Sequence, residues 1–359
     1  MKNAAIVLRG RMDNFNGNEF ERALSAFADG GYSADKVFLL PEGEPHEFAQ
    51  TLIECKNFFD NVLILCAAQK LDARRGESCE ILKLSQSSST VLDCDGKTFF
   101  FLPFGEAGEG LVRGEVVPHL DAKYSVRHDR AVFRAVGVPA DRLADVLSRV
   151  ESASGGKLKV HSSVKDGDLR LEILYDSNSP KMVADDVSRI VAEGLNNYLY
   201  ALDDTPLEKR VCEMLKLRGL RLSVAESFTG GGVTSAIVSV PGASDVLFEG
   251  IVAYSNEAKQ ARLGVGCDTL AQQGAVSDET AYQMAVGLLA TGNCTVSLST
   301  TGIAGPSSDG TDKPVGLNYM AVGTMESVYV YKYLFRGTRE EITRRAIRQA
   351  LFLLYKHIK

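Results

Sequence analysis

The spacing of apolar residues changes along the chain, and each change marks an element. Ala4-Ala5-Ile6-Val7-Leu8 and Val62-Leu63-Ile64-Leu65 are continuous apolar runs, the pattern of strands buried on both faces of a parallel sheet. Residues 36–40 predict a further strand, and helices fit residues 19–28, closing near Gly30-Gly31, and 45–59. Residues 90–92 and 98–102 flank Asp93-Cys94-Asp95-Gly96, a hairpin signal. Residues 1–122 therefore read as a three-layer α/β domain with a mostly parallel sheet. In such sheets ligands bind beyond the carboxyl ends of strands, here after Leu8 and after Leu65. Leu65 is followed by Cys66-Ala67-Ala68-Gln69-Lys70-Leu71-Asp72, without a glycine-rich or paired-carboxylate loop, so we expect no catalysis there.

Residues 123–202 change pattern again: a strand over 125–136, a helix over 139–152, strands over 157–164 and 168–175 around Asp166-Gly167, and a helix over 182–200. This β-α-β-β-α order suggests a small KH-like α+β module. RNA binding by such a module needs a GxxG clamp between helices, which Ser154-Gly155-Gly156 is not, so a spacer is the expectation.

Residues 203–359 predict a third, α/β domain. It opens with an amphipathic helix over 206–218, with Leu207, Val211, Met214, Leu215 and Leu217 on or near one face. An alternating strand, Leu220, Leu222, Val224, stops at Ala225-Glu226-Ser227 and is followed by Gly230-Gly231-Gly232. A segment of helical period, Val233, Ile237, Val238, ends at Pro241-Gly242. A strand over 250–253 runs into Tyr254-Ser255-Asn256-Glu257-Ala258-Lys259, and one over 295–298 runs into Thr300-Thr301-Gly302-Ile303-Ala304-Gly305-Pro306. Helices over 278–289 and 339–354 and strands over 317–324 and 327–335 complete it.

The chemistry gathers at these strand ends. Ser227 sits at a strand-to-helix turn, where free backbone N–H groups favour negative charge and the glycines admit substrate closely. Its hydroxyl is a weak nucleophile until a base takes the proton. No histidine lies near in sequence, but Lys259 serves if burial leaves it neutral. Tyr254 would relay the proton or hold Lys259, and N–H groups around Thr229, Gly230 and Gly231 would bind the oxyanion. The plain alternatives are a capping serine, a packing tyrosine and a solvated lysine; or a charged Lys259 that binds phosphate, with Tyr254 as base. Thr301, Gly302, Ala304 and Gly305 form a backbone cradle for ribose or phosphate, or a plain turn. Arg339, opening the last helix, holds a phosphate beside the helix dipole, or is a solvated helix start. Arg344, Arg345 and Arg348 read as a charged face.

Composition narrows the setting. The 359 residues allow two or three domains, and 45% hydrophobic with 24% charged residues is ordinary for a soluble protein. A net charge of −6 gives no general pull towards nucleic acid or anionic membrane. No apolar run reaches transmembrane length, and the N-terminus lacks the apolar core of a signal peptide. The 7 cysteines form no CxxC pair and the 5 histidines are isolated, which points to reduced thiols in a cytoplasm and away from a metal site.

The segments AESFTGGG, YSNEAK, GAVS, TGIAGP and KPVG occur in the order and spacing of one family. The chain resembles the competence-damage-inducible proteins, the CinA family, whose C-terminal domain is a nicotinamide mononucleotide deamidase. The resemblance implies a molybdopterin-binding-like domain (1–122), a KH-like linker (123–202) and a deamidase (203–359). It implies hydrolysis of the amide of nicotinamide mononucleotide to nicotinate mononucleotide and ammonia. Ser227, Tyr254 and Lys259 would be catalytic, and Thr229, Gly230, Gly231, Thr301, Gly302, Ala304, Gly305 and Arg339 would bind substrate. It implies a cytoplasmic homodimer with a small-molecule substrate, no cofactor, no metal, no nucleic acid and no membrane. Two places depart from the family. Its members carry GGLGPTxDD after the third strand, where this chain reads CAAQKLDARRG. The implied ADP-ribose pyrophosphatase activity therefore lacks the carboxylates that metal-dependent chemistry needs. The deamidase motif usually reads ESCTGG, and here Phe228 replaces the cysteine. The competing readings are a serine hydrolase acting on another amide and a non-catalytic interaction protein. The SxxK pattern of penicillin-recognising enzymes is absent, since Gly230 is the third residue after Ser227.

Overall fold

The computed structural model describes residues 1–10, 19–308, 310 and 312–359. The chain is a mixed α/β protein with three sheets. It resolves into two compact units, one made of Met1–Arg130 and Leu174–Pro180, the other of Ala131–Ile173 and Lys181–Lys359.

The first unit runs β1 (Asn3–Arg9), α1 (Glu19–Asp29), β2 (Lys36–Pro41), α2 (Pro45–Phe58), β3 (Asn61–Cys66), α3 (Leu71–Leu82), β4 (Val91–Cys94), β5 (Lys97–Pro103), α4 (Gly105–Leu111) and α5 (Val117–Tyr124). Its sheet order is β2-β1-β3-β5-β4, parallel except for β4. Every residue of β3 is buried, as its unbroken apolar run requires. Asp95 and Gly96 join β4 to β5 with φ of 51° and 77°, the left-handed pair that a tight two-residue hairpin demands. Helices α3, α4 and α5 were not anticipated; their apolar residues are too sparse for a clear helical period. Of the two expected ligand places, the one after Leu8 runs into residues 11–18, outside the described residues. The one after Leu65 leads into α3, whose arginines bond within the protein. Arg74 Nη2 donates to Glu42 O, and Arg75 is buried with its guanidinium on Ser88 O and on Asp72 at 2.6 Å.

The next elements are β6 (His128–Val136), α6 (Ala140–Ser154), β7 (Lys159–Lys165), β8 (Asp168–Asp176), α7 (Lys181–Leu195) and β9 (Leu199–Ala201), with sheet order β7-β8-β6-β9. The expected helix over 182–200 thus ends at Leu195. Asn196-Asn197 is a poor helix pair, Tyr198 N closes a turn on Leu195 O at 2.8 Å, and β9 pairs antiparallel with β6.

The remainder is α8 (Leu207–Leu217), β10 (Leu222–Glu226), α9 (Gly232–Val238), β11 (Leu247–Val252), α10 (Asn256–Leu263), α11 (Cys267–Gln272), α12 (Asp278–Leu289), β12 (Val296–Gly302), β13 (Leu317–Thr324), β14 (Val328–Leu334) and α13 (Arg339–Ile358). The sheet order is β11-β10-β12-β13-β14, with β11, β10 and β12 parallel and the last two strands antiparallel. Leu222, Val224, Leu298 and Met320 face a core shared with α8, α9 and α13, and Ala225 faces one shared with α10 and α12. Interior β10 is buried along its whole length, and the strand order sets its carboxyl end between β11 and β12. One expectation for α8 fails: Leu217 is 79% exposed, because Leu207, Val211, Cys212 and Leu215 fill the buried stripe.

Candidate functional site

Ser227 follows β10 directly and is pinned from β12, its N–H donating to Thr300 O at 3.0 Å. On the other side, Ala253 N donates to Glu226 O at 2.8 Å and brings in the chain that follows β11. There Ser255 caps α10, its Oγ accepting from Ala258 N at 3.1 Å, and the first turn of that helix carries Lys259 inward. Lys259 is 1% exposed, with Nζ 3.0 Å from Ser227 Oγ, 2.9 Å from Ala253 O and 3.1 Å from Tyr254 O. Burial alone pushes its pKa down from 10.5 to about 8. A neutral amine has two N–H donors and one lone pair. The two carbonyls match the donors, which leaves the lone pair for the serine hydroxyl.

These residues open on a cavity of about 250 Å³ lined by Phe228, Ala275, Val276, Ser307 and Ser308 together with Ser227, Tyr254, Lys259, Gly302, Ile303, Ala304, Gly305 and Arg339. At its rim Arg339 donates to Gly305 O at 2.8 Å through Nη1 and to the Tyr254 hydroxyl at 3.4 Å through Nη2. Tyr254 therefore meets Lys259 through its main-chain carbonyl, while its side chain, 62% exposed, turns to the arginine.

The glycine turn differs from expectation. Glu226, fully buried, accepts from Gly231 N at 3.1 Å, Val233 N at 3.0 Å, Thr234 N at 2.8 Å and Thr234 Oγ1 at 2.7 Å. The positive end of α9 is thus filled by the chain's own carboxylate. Gly230 N is also engaged, on Ser227 O at 3.1 Å. Thr229 Oγ1 lies 2.7 Å from Thr300 Oγ1, and none of Thr229, Gly230 and Gly231 lines the cavity. The N–H groups of Gly230 and Gly231 are therefore not open donors. Thr301 also stays outside, its hydroxyl donating to Ala275 O at 2.6 Å. Sequence reasoning missed Glu226, although a carboxylate ahead of a glycine turn and a helix start is a legible cap signal. It also missed Ser307 and Ser308, which lie in a segment without periodicity.

Among the described residues no cluster of His, Cys, Asp and Glu suits a metal ion, and no helix is long and apolar enough to cross a membrane. Fold and site together define an α/β protein with a buried serine–lysine pair at the carboxyl ends of parallel strands. Residues 204–358 match the CinA C-terminal domain. A relative from Thermoanaerobacter pseudethanolicus, described as competence-damage inducible, is 35% identical over 290 residues, 79% of this chain and 69% of that protein. The chain belongs to the CinA family. A similarly described protein of Caldicellulosiruptor saccharolyticus is 37% identical over 75% of this chain, and the match spans 66% of that relative's length. A CinA-like protein of Kosmotoga olearia is 42% identical over 73% of this chain and 64% of its own. Among solved structures, a CinA superfamily protein from Klebsiella pneumoniae is 30% identical, covering 42% of this chain and 95% of that one, with a TM-score of 0.42.

Proposed function

We propose that this protein hydrolyses the amide of nicotinamide mononucleotide, giving nicotinate mononucleotide and ammonia. The observation that carries the reading is the Ser227–Lys259 contact of 3.0 Å, with Lys259 buried and its pKa lowered to about 8. In this reading neutral Lys259 takes the Ser227 proton as Oγ bonds to the amide carbon. The oxyanion forms near the N–H of Phe228, a cavity-lining residue whose N–H donates to no group among the described residues. Such a donor is worth about 3–4 kcal/mol in known cases. The lysine ammonium then gives its proton to the departing nitrogen, the C–N bond breaks, and ammonia leaves an acyl-serine ester. Water attacks that ester, Lys259 again takes the proton and returns it to Ser227 Oγ, and the carboxylate is released. Arg339, Ser307 and Ser308 would hold the phosphate and ribose.

The three-part division at 122 and 202, the homodimer and the cytoplasmic setting belong to the same proposal. Ammonia release from the purified full chain, with nicotinamide mononucleotide compared with nicotinamide riboside and nicotinamide, tests it. Ser227→Ala should lower kcat by at least about a thousandfold while the circular dichroism spectrum is unchanged. Turnover within tenfold of the wild type would remove Ser227 from the chemistry.

A further inference from the structure

Two of the sequence segments, Gly274-Ala275-Val276-Ser277 and Lys313-Pro314-Val315-Gly316, have no part in the reaction steps above. The structure joins them. Lys313 Nζ donates to the main-chain carbonyls of Gln273 at 2.6 Å and Val276 at 2.7 Å. Between these two, Ala275 O accepts from Thr301 Oγ1 at 2.6 Å. The short connection after α11 is therefore gripped from two sides, by a residue of β12 and by a lysine beyond the cavity loop. Gly274 lets the ammonium in: its φ is +81°, and a Cβ there would stand 3.3 Å from Lys313 Nζ.

The other residues of the second segment anchor the lysine. Ile303 N donates to Leu317 O at 2.9 Å, Gly316 N to Ile303 O at 2.7 Å and Leu317 N to Pro314 O at 3.1 Å. Val315 Cγ1 lies 2.6 Å from where a side chain on Gly305 would begin, so it fills the space behind that glycine. The cavity lining takes Ala275 and Val276 from the connection after α11 and Ile303, Ala304, Gly305, Ser307 and Ser308 from the loop after β12, with Val276 and Ile303 in one apolar cluster. Lys313 does not line the cavity, but it ties the first of these segments to the base of the second.

We propose that Lys313 is a positioning residue that latches these two segments of the cavity lining together and so sets the fit for the part of the substrate that does not react. This rests on the functional reading above. An ammonium can donate to both carbonyls at once. Methionine keeps the length of the stem and cannot donate, whereas a guanidinium can still reach two acceptors.

The test uses the full chain with Lys313→Met and Lys313→Arg, steady-state kinetics on nicotinamide mononucleotide, and amide hydrogen exchange without substrate. Lys313→Met should raise KM about tenfold with kcat within about threefold, the signature of lost uniform binding. Lys313→Arg should recover most of that KM. Exchange over residues 273–277 should quicken in the methionine variant while β10 is unchanged. A KM and an exchange pattern equal to wild type would overturn the latch, as would a fall in kcat at constant KM. A wild-type protein without deamidase activity would sink the functional reading alone. Exchange would then decide the latch, and unaltered protection over 273–277 in Lys313→Met would overturn it.

Discussion

Lys259 is buried, and among the described residues no carboxylate forms an ion pair with it. An ion pair would keep the ammonium charged and useless as a base; its lack lets burial act alone. The sign follows. Below about pH 8 the folded amine is charged and cannot accept the serine proton, so kcat/KM should rise with pH through that value. Between about 8 and 10.5 the unfolded chain holds the proton that the folded chain has lost, so stability should also rise across that window. Lys259→Arg keeps the charge and cannot lose its proton. It should abolish turnover, read as ammonia release at pH 9, and near-normal turnover would reduce the lysine to a phosphate holder. Sequence made the Ser227 and Lys259 pair legible, because both follow strand ends and a family pattern joins them. It could not show that Tyr254 would grip the lysine through its carbonyl, since a residue name says nothing of which of its atoms faces inward. Glu226, by contrast, was legible as a carboxylate ahead of a glycine turn, a signal that competes with an open anion site there.

Strands and helices were legible where the period was long and pure. Strand β13 and helix α12 run as expected, and β3 needed only one residue added at each end. What escaped were α3, whose apolar residues are sparse, and short elements such as α11 and β9, whose six and three residues carry less than a full pattern. Helix α8 shows a finer limit. Leu215 and Leu217 are two residues apart, about 200° around a helix, and only one can face the sheet. The structure buries Leu215 completely and leaves Leu217 at 79% exposure. Leu215→Ala should therefore cost about 2–5 kcal/mol of unfolding free energy, and Leu217→Ala no more than about 0.5 kcal/mol. Urea denaturation of the two variants checks this, and equal losses would mean the helix is rotated from the position described.

On the scale of the molecule, the cavity on which Ser227 and Lys259 open lies in the second unit. In the first unit, β3 is followed by α3 without a paired-carboxylate loop, and Arg74 and Arg75 of that helix are each bonded to main-chain oxygen. We therefore expect the full chain, supplied with magnesium or manganese, to release no AMP from ADP-ribose. Phosphorus NMR would show that product, and its metal-dependent appearance at equal rate in Ser227→Ala would locate a second activity in the first unit. The arrangement of the chain between units was not legible in the sequence, because a β-hairpin signal gives pairing but not the body each strand joins. Leu174–Pro180 belongs to the first unit although Ala131–Ile173 belongs to the second, and Ser177 N donates to Arg127 O at 2.8 Å. A ribosome delivers residues in order, and domains generally fold as they emerge. The first unit thus waits for Ser177 while α6 and β7 of the second are already outside the exit tunnel, and synthesis interleaves the two units instead of finishing one before the other.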